Sequence, residues 1–313
     1  MNNMITRRKF VGISAATGAT ILAGGKLLGS TVASGTATNP VFKIGGDLEV
    51  NRLGFGAMRL TGEGVWGWPP DRANAIKVLK RAVELGVNLI DTADAYGPEV
   101  DELLIAEALH PYPKGLLIAT KGGNTRPGPG QWVPDGRPDY LKGCVDKSLK
   151  RLRLERIDLY QLHRIDPKVP MEESLGAIKE MQSAGKIRHF GLSEVSTAEI
   201  ERARKVLPIV SVQNRYNVED RKWDKVIDYC EKENLAFLPW FPVGGGRGVK
   251  STALDAVAKA HNASVYQVAL AWLLQRSSVM LPIPGTSNIK HLEDNVAAAK
   301  LKLTPEEWKA LAA

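Results

Sequence analysis

Apolar positions in this chain fall into short, near-continuous runs separated by stretches with helical spacing, and from about residue 42 the two alternate without a break. FKIGGDLEV, with its Gly45-Gly46 turn, predicts a short hairpin, and Arg52–Phe55 a strand. In DRANAIKVLKRAVELG (71–86), Ile76, Leu79, Ala82 and Leu85 share one helical face, with Asp71 as N-cap and Gly86 as stop. NLIDT then reads as a strand, VDELLIAEALH as a helix and GLLIATK as a strand. Helix PDYLKGCVDKSLKRL, strand IDLYQLHR, helix MEESLGAIKEMQSAG and strand IRHFGLS continue the series. Helix TAEIERARKVL, strand IVSVQNRY, helix DRKWDKVIDYCEKEN and strand LAFLPWF come next. Two helices, TALDAVAKAHN and VYQVALAWLLQRS, precede the last strand, VMLPIPG. IKHLEDNVAAA and TPEEWKALAA are closing helices, the second opened by a Thr304/Glu307 capping box.

Eight strands in this order, each but the last followed by helical sequence, predict a (β/α)8 TIM barrel with an N-terminal β-hairpin and additional C-terminal helices. Near-continuous apolar runs suit strands covered on both faces. An open doubly wound sheet fits less well, because GFGAMRLTGEG lacks the three-glycine spacing of an early dinucleotide-binding turn. The barrel occupies residues 41–313.

The first 40 residues follow a different pattern: a basic start, a middle of small and apolar residues, then a Ser/Thr/Ala/Gly tail. TRRKFV, with Arg7, Arg8 and Phe10, resembles a twin-arginine export signal. The resemblance implies export of an already folded protein to the periplasm or beyond, with the twin-arginine machinery as partner. The alternative is a cytoplasmic enzyme with an irregular or membrane-anchored N-terminus. Ser14, Thr17, Gly18 and Lys26 interrupt the apolar stretch and argue against a stable membrane span. Cleavage would fall near Val32-Ala33-Ser34 or Ala37.

This segment carries Arg7, Arg8, Lys9 and Lys26 and no acid, so the formal charge of +8 falls to +4 for the remainder. So mild an excess gives no support for nucleic-acid binding. KSLKRLRLER at 147–156 is the densest basic stretch, and its leucine spacing reads as the solvated back of a helix. Cys144 and Cys230 sit in helical patterns and read as buried free thiols.

In a barrel, chemistry collects at the C-terminal ends of the strands. Asp91 is the first candidate, because an acid emerging from Leu89-Ile90 needs a partner. Lys121, at the end of the neighbouring strand, supplies one. Tyr96 in the loop after Asp91 would lie beside that ammonium, which would draw its pKa down from about 10 and suit it to proton donation. His163 ends the next strand and can hydrogen-bond a substrate oxygen. Taken singly, Asp91–Lys121 reads equally as a structural ion pair and His163 as a core-edge histidine; their convergence at one rim favours chemistry. None of these groups demands a metal.

With those residues in place, the chain resembles the aldo-keto reductase family. DTADAYG, continuing through YGPEVDELLIAEAL, ATKGG, SLKRLRLERIDLYQLHR, GKIRHFGLSEVS, VQNRYN and IPGTSNIKHLEDNVAA carry the resemblance over roughly 48–311. It implies hydride transfer between a nicotinamide and a carbonyl or alcohol, with Tyr96 as general acid, Lys121 and Asp91 tuning it, and His163 orienting the carbonyl and sharing in proton donation. It further implies cofactor contacts at Gly56 and Met58, and at Ser193, Gln213 and Asn214 for the carboxamide. Trp240 stands where the family usually has a stacking tyrosine. Pro242, Val243, Gly244 and Gly246 would pass near the pyrophosphate. Gly285, Thr286, Ser287 and Asn288 would hold the adenosine phosphate, with Lys290, His291, Asp294 and Asn295 beyond.

The basic residue and arginine that many members use on the 2′-phosphate of NADP are missing; Thr286, Asn288, Lys290 and His291 stand in that region. NADP is the expected cofactor, with NAD the alternative. Trp66, Trp68 and Trp132, from the loops after the first and third strands, are expected pocket walls, with Arg59 and Arg126 as anion contacts. Trp68 and Trp132 read equally as loop packing. Asp94 acquires only a loop-capping role. The expected partner is a small carbonyl or alcohol substrate, and the competing function is a nicotinamide-binding accessory or redox-sensing subunit with little turnover.

Overall fold

The computed structural model describes residues 41–244 and 252–312. The export signal expected in 1–40, and Gly246, lie outside the described residues. Val41–Ile44 (β1) and Leu48–Asn51 (β2) pair as the antiparallel hairpin read from the sequence. Gly45 and Gly46 turn it with φ of 64° and 87°, a region glycine enters without steric cost. Phe42, Ile44, Leu48 and Val50 join the core cluster of Leu89, Leu117, Ile157 and Ile187, residues at the N-terminal ends of barrel strands. The hairpin therefore covers the end of the barrel opposite the candidate site.

The barrel strands are Phe55–Gly56 (β3), Leu89–Asp91 (β4) and Leu117–Gly122 (β5), then, after a loop hairpin of Asn124–Thr125 (β6) and Val133–Pro134 (β7), Ile157–Leu162 (β8), Ile187–Ser193 (β9), Ser211–Gln213 (β10) and Ala236–Phe237 (β11). Seven of them form one parallel sheet in the order β3-β4-β5-β8-β9-β10-β11. VMLPIPG closes the ring as an extended segment, not as a regular strand. Leu281 N donates to Phe237 O (2.8 Å) on one side, while Gly54 N donates to Pro282 O (2.9 Å) and Gly56 N to Pro284 O (3.3 Å) on the other. Pro282 and Pro284 have no N–H to give, so the seam lacks a continuous ladder.

Ten α-helices are described: Arg72–Glu84 (α1), Val100–Leu109 (α2), Pro138–Leu152 (α3), Met171–Ser183 (α4), Thr197–Arg204 (α5), Asp224–Lys232 (α6), Thr252–Ala260 (α7), Val265–Arg276 (α8), Ile289–Ala297 (α9) and Pro305–Ala312 (α10). Asp71 caps α1 by accepting from Asn74 N at 2.8 Å. Thr304 and Glu307 form the expected box, with Thr304 N donating to Glu307 Oε2 at 2.8 Å and Glu307 N to Thr304 Oγ1 at 3.2 Å. In α8, Val268 through Leu274 are all buried, as expected of a helix wedged between barrel and terminal helices.

Two surface expectations change. KSLKRLRLER is not simply a solvated back: Arg151 turns inward, 9% exposed, and meets Glu102 Oε2 at 2.6 Å. Cys144 and Cys230 are buried free thiols, as expected. No helix among the described residues is long and apolar enough to cross a membrane.

Candidate active site

Sheet register brings the site together. Asp91 pairs with Ala119, and Lys121, two residues on and therefore on the same face, pairs with Gln161. Lys121 Nζ, fully buried, donates to Asp91 Oδ2 (2.6 Å), to the Thr92 carbonyl (2.8 Å) and to Tyr96 Oη (3.2 Å). Three acceptors satisfy all three donors of the ammonium. Asp91 turns its other oxygen to Gln213 Nε2 (2.8 Å) and Gln161 Nε2 (3.4 Å). His163 lies edge-on to Tyr96, with ring centroids 5.8 Å apart, and its buried Nδ1 has no hydrogen-bond partner.

Burial works against the charge on Lys121, but Asp91 and Tyr96 outweigh it and hold the ammonium above its ordinary value. For Tyr96 the expected lowering does not occur. Burial pushes the phenol up; Lys121 pulls it down, and Asp91 cancels part of that pull, leaving the net direction upward. Burial, together with the charges of Lys121, Arg164 and Arg126, holds His163 well below the usual imidazole range, so the ring is neutral at physiological pH.

Of the three expected tryptophans, Trp132 closes on the site. Its ring lies 6.1 Å from Tyr96 and 5.9 Å from His163. The β6–β7 hairpin carries it, with Arg126 stacked on the indole at 3.7 Å. Arg126 is no anion contact: its guanidinium donates to the carbonyls of Gly64, Val65, Ala95 and Gln131 and ties three loops together. Trp66 is half-buried behind it, 5.7 Å from the same guanidinium. Trp68 instead stacks under Arg72 at 4.0 Å, at the start of α1. Arg59 is exposed beside the Gly56–Gly285 seam.

The expected cofactor positions divide into groups. Ser193 Oγ accepts from Arg164 (2.9 Å). Asn214 is not available for a carboxamide, because its side chain brackets Val195 through N–H (3.1 Å) and C=O (2.8 Å). Trp240 is half-buried, and its Nε1 donates to Glu194 Oε1 (2.8 Å); Pro242, Val243 and Gly244 follow it. Gly56 and Gly285 have a structural reason to be glycine: a Cβ on Gly56 would lie 2.6 Å from Ile283 O, and one on Gly285 would collide with Gly56 O. Met58 follows in a short 3-10 turn. Thr286 Oγ1 accepts from Asn288 N, and Asn288 caps α9 by accepting from His291 N (3.2 Å). Ser287, Lys290 and His291 are exposed there, Asp294 is half-buried and Asn295 buried.

Thr92, Gln161, Glu194 and Arg164 escaped the sequence reading. Gln161 was legible, since it precedes His163 by two on the same strand face; Glu194 and Arg164 carry no periodic signal.

A model of the aldo/keto reductase family matches residues 52–313. The chain belongs to that family. An uncharacterized oxidoreductase of Schizosaccharomyces pombe is 54% identical over 267 residues, 85% of this chain and 87% of the relative. Pyridoxine 4-dehydrogenase of Escherichia coli is 45% identical over 272 residues, 85% and 95% of the two chains. Among solved structures, glycerol dehydrogenase from Gluconobacter oxydans superposes with a TM-score of 0.79 at 28% identity, covering 88% of this chain and 94% of that one. This aldo/keto reductase is thus an oxidoreductase with the barrel that its strand pattern predicted.

Proposed function

We propose that this aldo/keto reductase reduces aldehydes or ketones with NADP(H), using Tyr96 as the general acid. One observation carries the reading: Lys121 Nζ joins Asp91, Thr92 O and Tyr96 Oη in one buried cluster beside the neutral His163. The raised phenol is the protonated form that carbonyl reduction requires. His163, as a neutral imidazole, orients the carbonyl oxygen by hydrogen bonding and has no charge-borne proton to give. As the carbonyl oxygen takes the Tyr96 proton, the adjacent ammonium stabilises the phenolate left behind.

A bound nicotinamide supplies the hydride. The donor set fits such a cofactor. Ser193 keeps its O–H for the carboxamide and Gln213 its carbonyl oxygen, while Trp240 offers an aromatic face. At the start of α9, Asn288, Lys290 and His291 gather neutral and cationic donors suited to a phosphate. NADP follows from that phosphate site, with NAD as the competing outcome. The Trp132 wall suits a flat substrate, and the pyridoxine 4-dehydrogenase relative makes pyridoxal a sensible first compound.

The test is NADPH oxidation by the purified protein with pyridoxal and a panel of aromatic aldehydes, beside Tyr96→Phe. Turnover that is lost in Tyr96→Phe supports the assignment; equal turnover in both proteins removes Tyr96 from it.

Export by the twin-arginine route is the second part of the proposal, supported by Arg7, Arg8 and Phe10 in TRRKFV. Fractionation of cells expressing the full chain and an Arg7→Lys/Arg8→Lys variant tests it. A wild-type pool confined to the cytoplasm with its N-terminus intact would establish the cytoplasmic alternative.

A further inference from the structure

Arg164 follows His163 directly, and its guanidinium sits between the two halves of the candidate site. Nη1 donates to the His163 carbonyl (2.6 Å) and to Ser193 Oγ (2.9 Å), and Cζ lies 5.9 Å from the Trp240 ring. Among the described residues, no carboxylate forms an ion pair with it, and its Nε and Nη2 donate no hydrogen bond. The acid that acts on it, Glu194, is already engaged by Trp240 Nε1 (2.8 Å) and Arg215 N (2.5 Å), with Lys222 at 3.8 Å. A guanidinium largely removed from water, with donors to spare and no counter-charge, is costly to keep unless something anionic completes it. Arg126 makes the contrast: it also lacks an ion pair, but four backbone carbonyls occupy its donors.

We propose that Arg164 is a specificity residue that receives an anionic oxygen group of the substrate, so that the preferred carbonyl compounds carry a carboxylate on the same small molecule. The inference rests on the carbonyl-reductase reading above. Its geometry is that of a forked donor placed one residue from the group that orients the carbonyl, free to take two carboxylate oxygens at once. Tyr96 and Trp132 border the same space and supply the flat wall against which the rest of the substrate lies.

The experiment compares 3- and 4-formylbenzoate with their methyl esters in the wild type, Arg164→Met and Arg164→Lys, after confirming equal melting temperatures. In the wild type at least one formylbenzoate has a kcat/KM about tenfold to a hundredfold above its ester, the range of a charged hydrogen bond. Arg164→Met abolishes that preference through KM and leaves ester turnover within about threefold; Arg164→Lys retains part of it. No preference in the wild type, or a preference that survives Arg164→Met, overturns the proposal. Weaker NADPH binding with substrate preference unchanged also overturns it, and assigns Arg164 to a cofactor phosphate.

Equilibrium binding of 4-(hydroxymethyl)benzoate to the NADP-loaded protein gives a readout without turnover. Loss of that binding in Arg164→Met upholds the subsite even if neither aldehyde nor ester is reduced, a result in which the carbonyl-reductase reading alone fails. Undetectable binding of this probe to the wild type, together with no turnover, sinks both.

Discussion

Asp91 and Lys121 meet at 2.6 Å across neighbouring strands, with side chains 3% and 0% exposed. Their partners are not symmetric. Without Lys121, Asp91 keeps the two glutamine donors, Gln213 and Gln161; without Asp91, Lys121 keeps only neutral oxygens. Breaking a buried pair costs about 3–5 kcal/mol when a charge is stranded. Asp91→Ala therefore falls in or near that range, and Lys121→Met costs less. Urea denaturation of both variants at neutral pH checks the order, and Lys121→Met being the less stable would show that the glutamines do not support the carboxylate.

Tyr96 makes one side-chain hydrogen bond, to Lys121, so Tyr96→Phe should fold normally while losing about 10²–10⁴ in turnover. The direction of its shift sets the pH profile. An acid whose pKa is raised stays protonated further into the alkaline range, so carbonyl reduction holds to beyond about pH 10 before the phenol limits it. Alcohol oxidation needs the phenolate and rises over the same range. Paired pH–rate profiles for the two directions check this, and a reductive profile that breaks near pH 7 would point to another acid.

The misreading of Tyr96 shows where sequence reasoning stops. Strand order placed Asp91, Lys121 and Tyr96 at one rim, because register and period-2 alternation are written in the residues. The sign of the shift depends on how much water Ala95, Trp132 and the β6–β7 hairpin exclude, and that hairpin read only as a long loop. Trp68 and Trp132 looked alike for the same reason: nothing local distinguishes a tryptophan stacked under Arg72 from one lying over His163. Asn214 read as a ligand contact because its partner, the Val195 backbone, offers no side-chain signal. The eight-strand count survived, yet its last member proved to be a proline-broken seam.

Behind β4 and β5, three carboxyls crowd one arginine. Glu102 takes Arg151 at 2.6 Å, while Asp94 and Asp101 each keep one buried oxygen without a partner. Burial, with the Glu102 charge adding, pushes Asp94 and Asp101 up to about 7 from 3.8. The folded protein then holds protons that the unfolded chain releases, so this contribution falls as pH rises from 3.8 to 7 and is flat above. Asp94→Asn removes its share of that slope. Denaturation series at pH 5 and pH 8 should show the variant gaining on the wild type by an amount on the order of a few kcal/mol at the higher pH. An unchanged difference between the two pH values would mean that Asp94 is ionised in the folded state.

Glu194 adopts a left-handed backbone conformation, φ 56°, and from there holds the Trp240 indole through Nε1. Such strain in a non-glycine residue persists only where the surroundings over-determine it. Glu194→Leu frees the indole, and the expected result is a shift of Trp240 emission and weaker nicotinamide binding, with kcat less affected than KM. Glu194→Gln keeps an acceptor for the indole N–H and restores most of the affinity. Equal losses in both variants would mean that the charge of Glu194, not its hold on Trp240, is what matters.

The seam between β3 and the closing segment is held by few hydrogen bonds, so its stability depends on close backbone approach. Gly56 N donates to Pro284 O at 3.3 Å, and a methyl at Gly56 would sit 2.6 Å from the Ile283 carbonyl. At Gly285 it would strike the Gly56 carbonyl. Both obstacles are backbone atoms, which cannot rotate away as a flexible side chain can. Gly56→Ala and Gly285→Ala should each cost about 1–3 kcal/mol, the range for overpacking. Their double variant should cost less than the sum, because one opening of the seam relieves both contacts. Gly143→Ala, on the open side of α3 with nothing within 4 Å of its added carbon, is the control and should be neutral or stabilising. If Gly56→Ala and Gly285→Ala left stability intact and weakened only nicotinamide binding, these glycines would belong to the cofactor, not to the barrel.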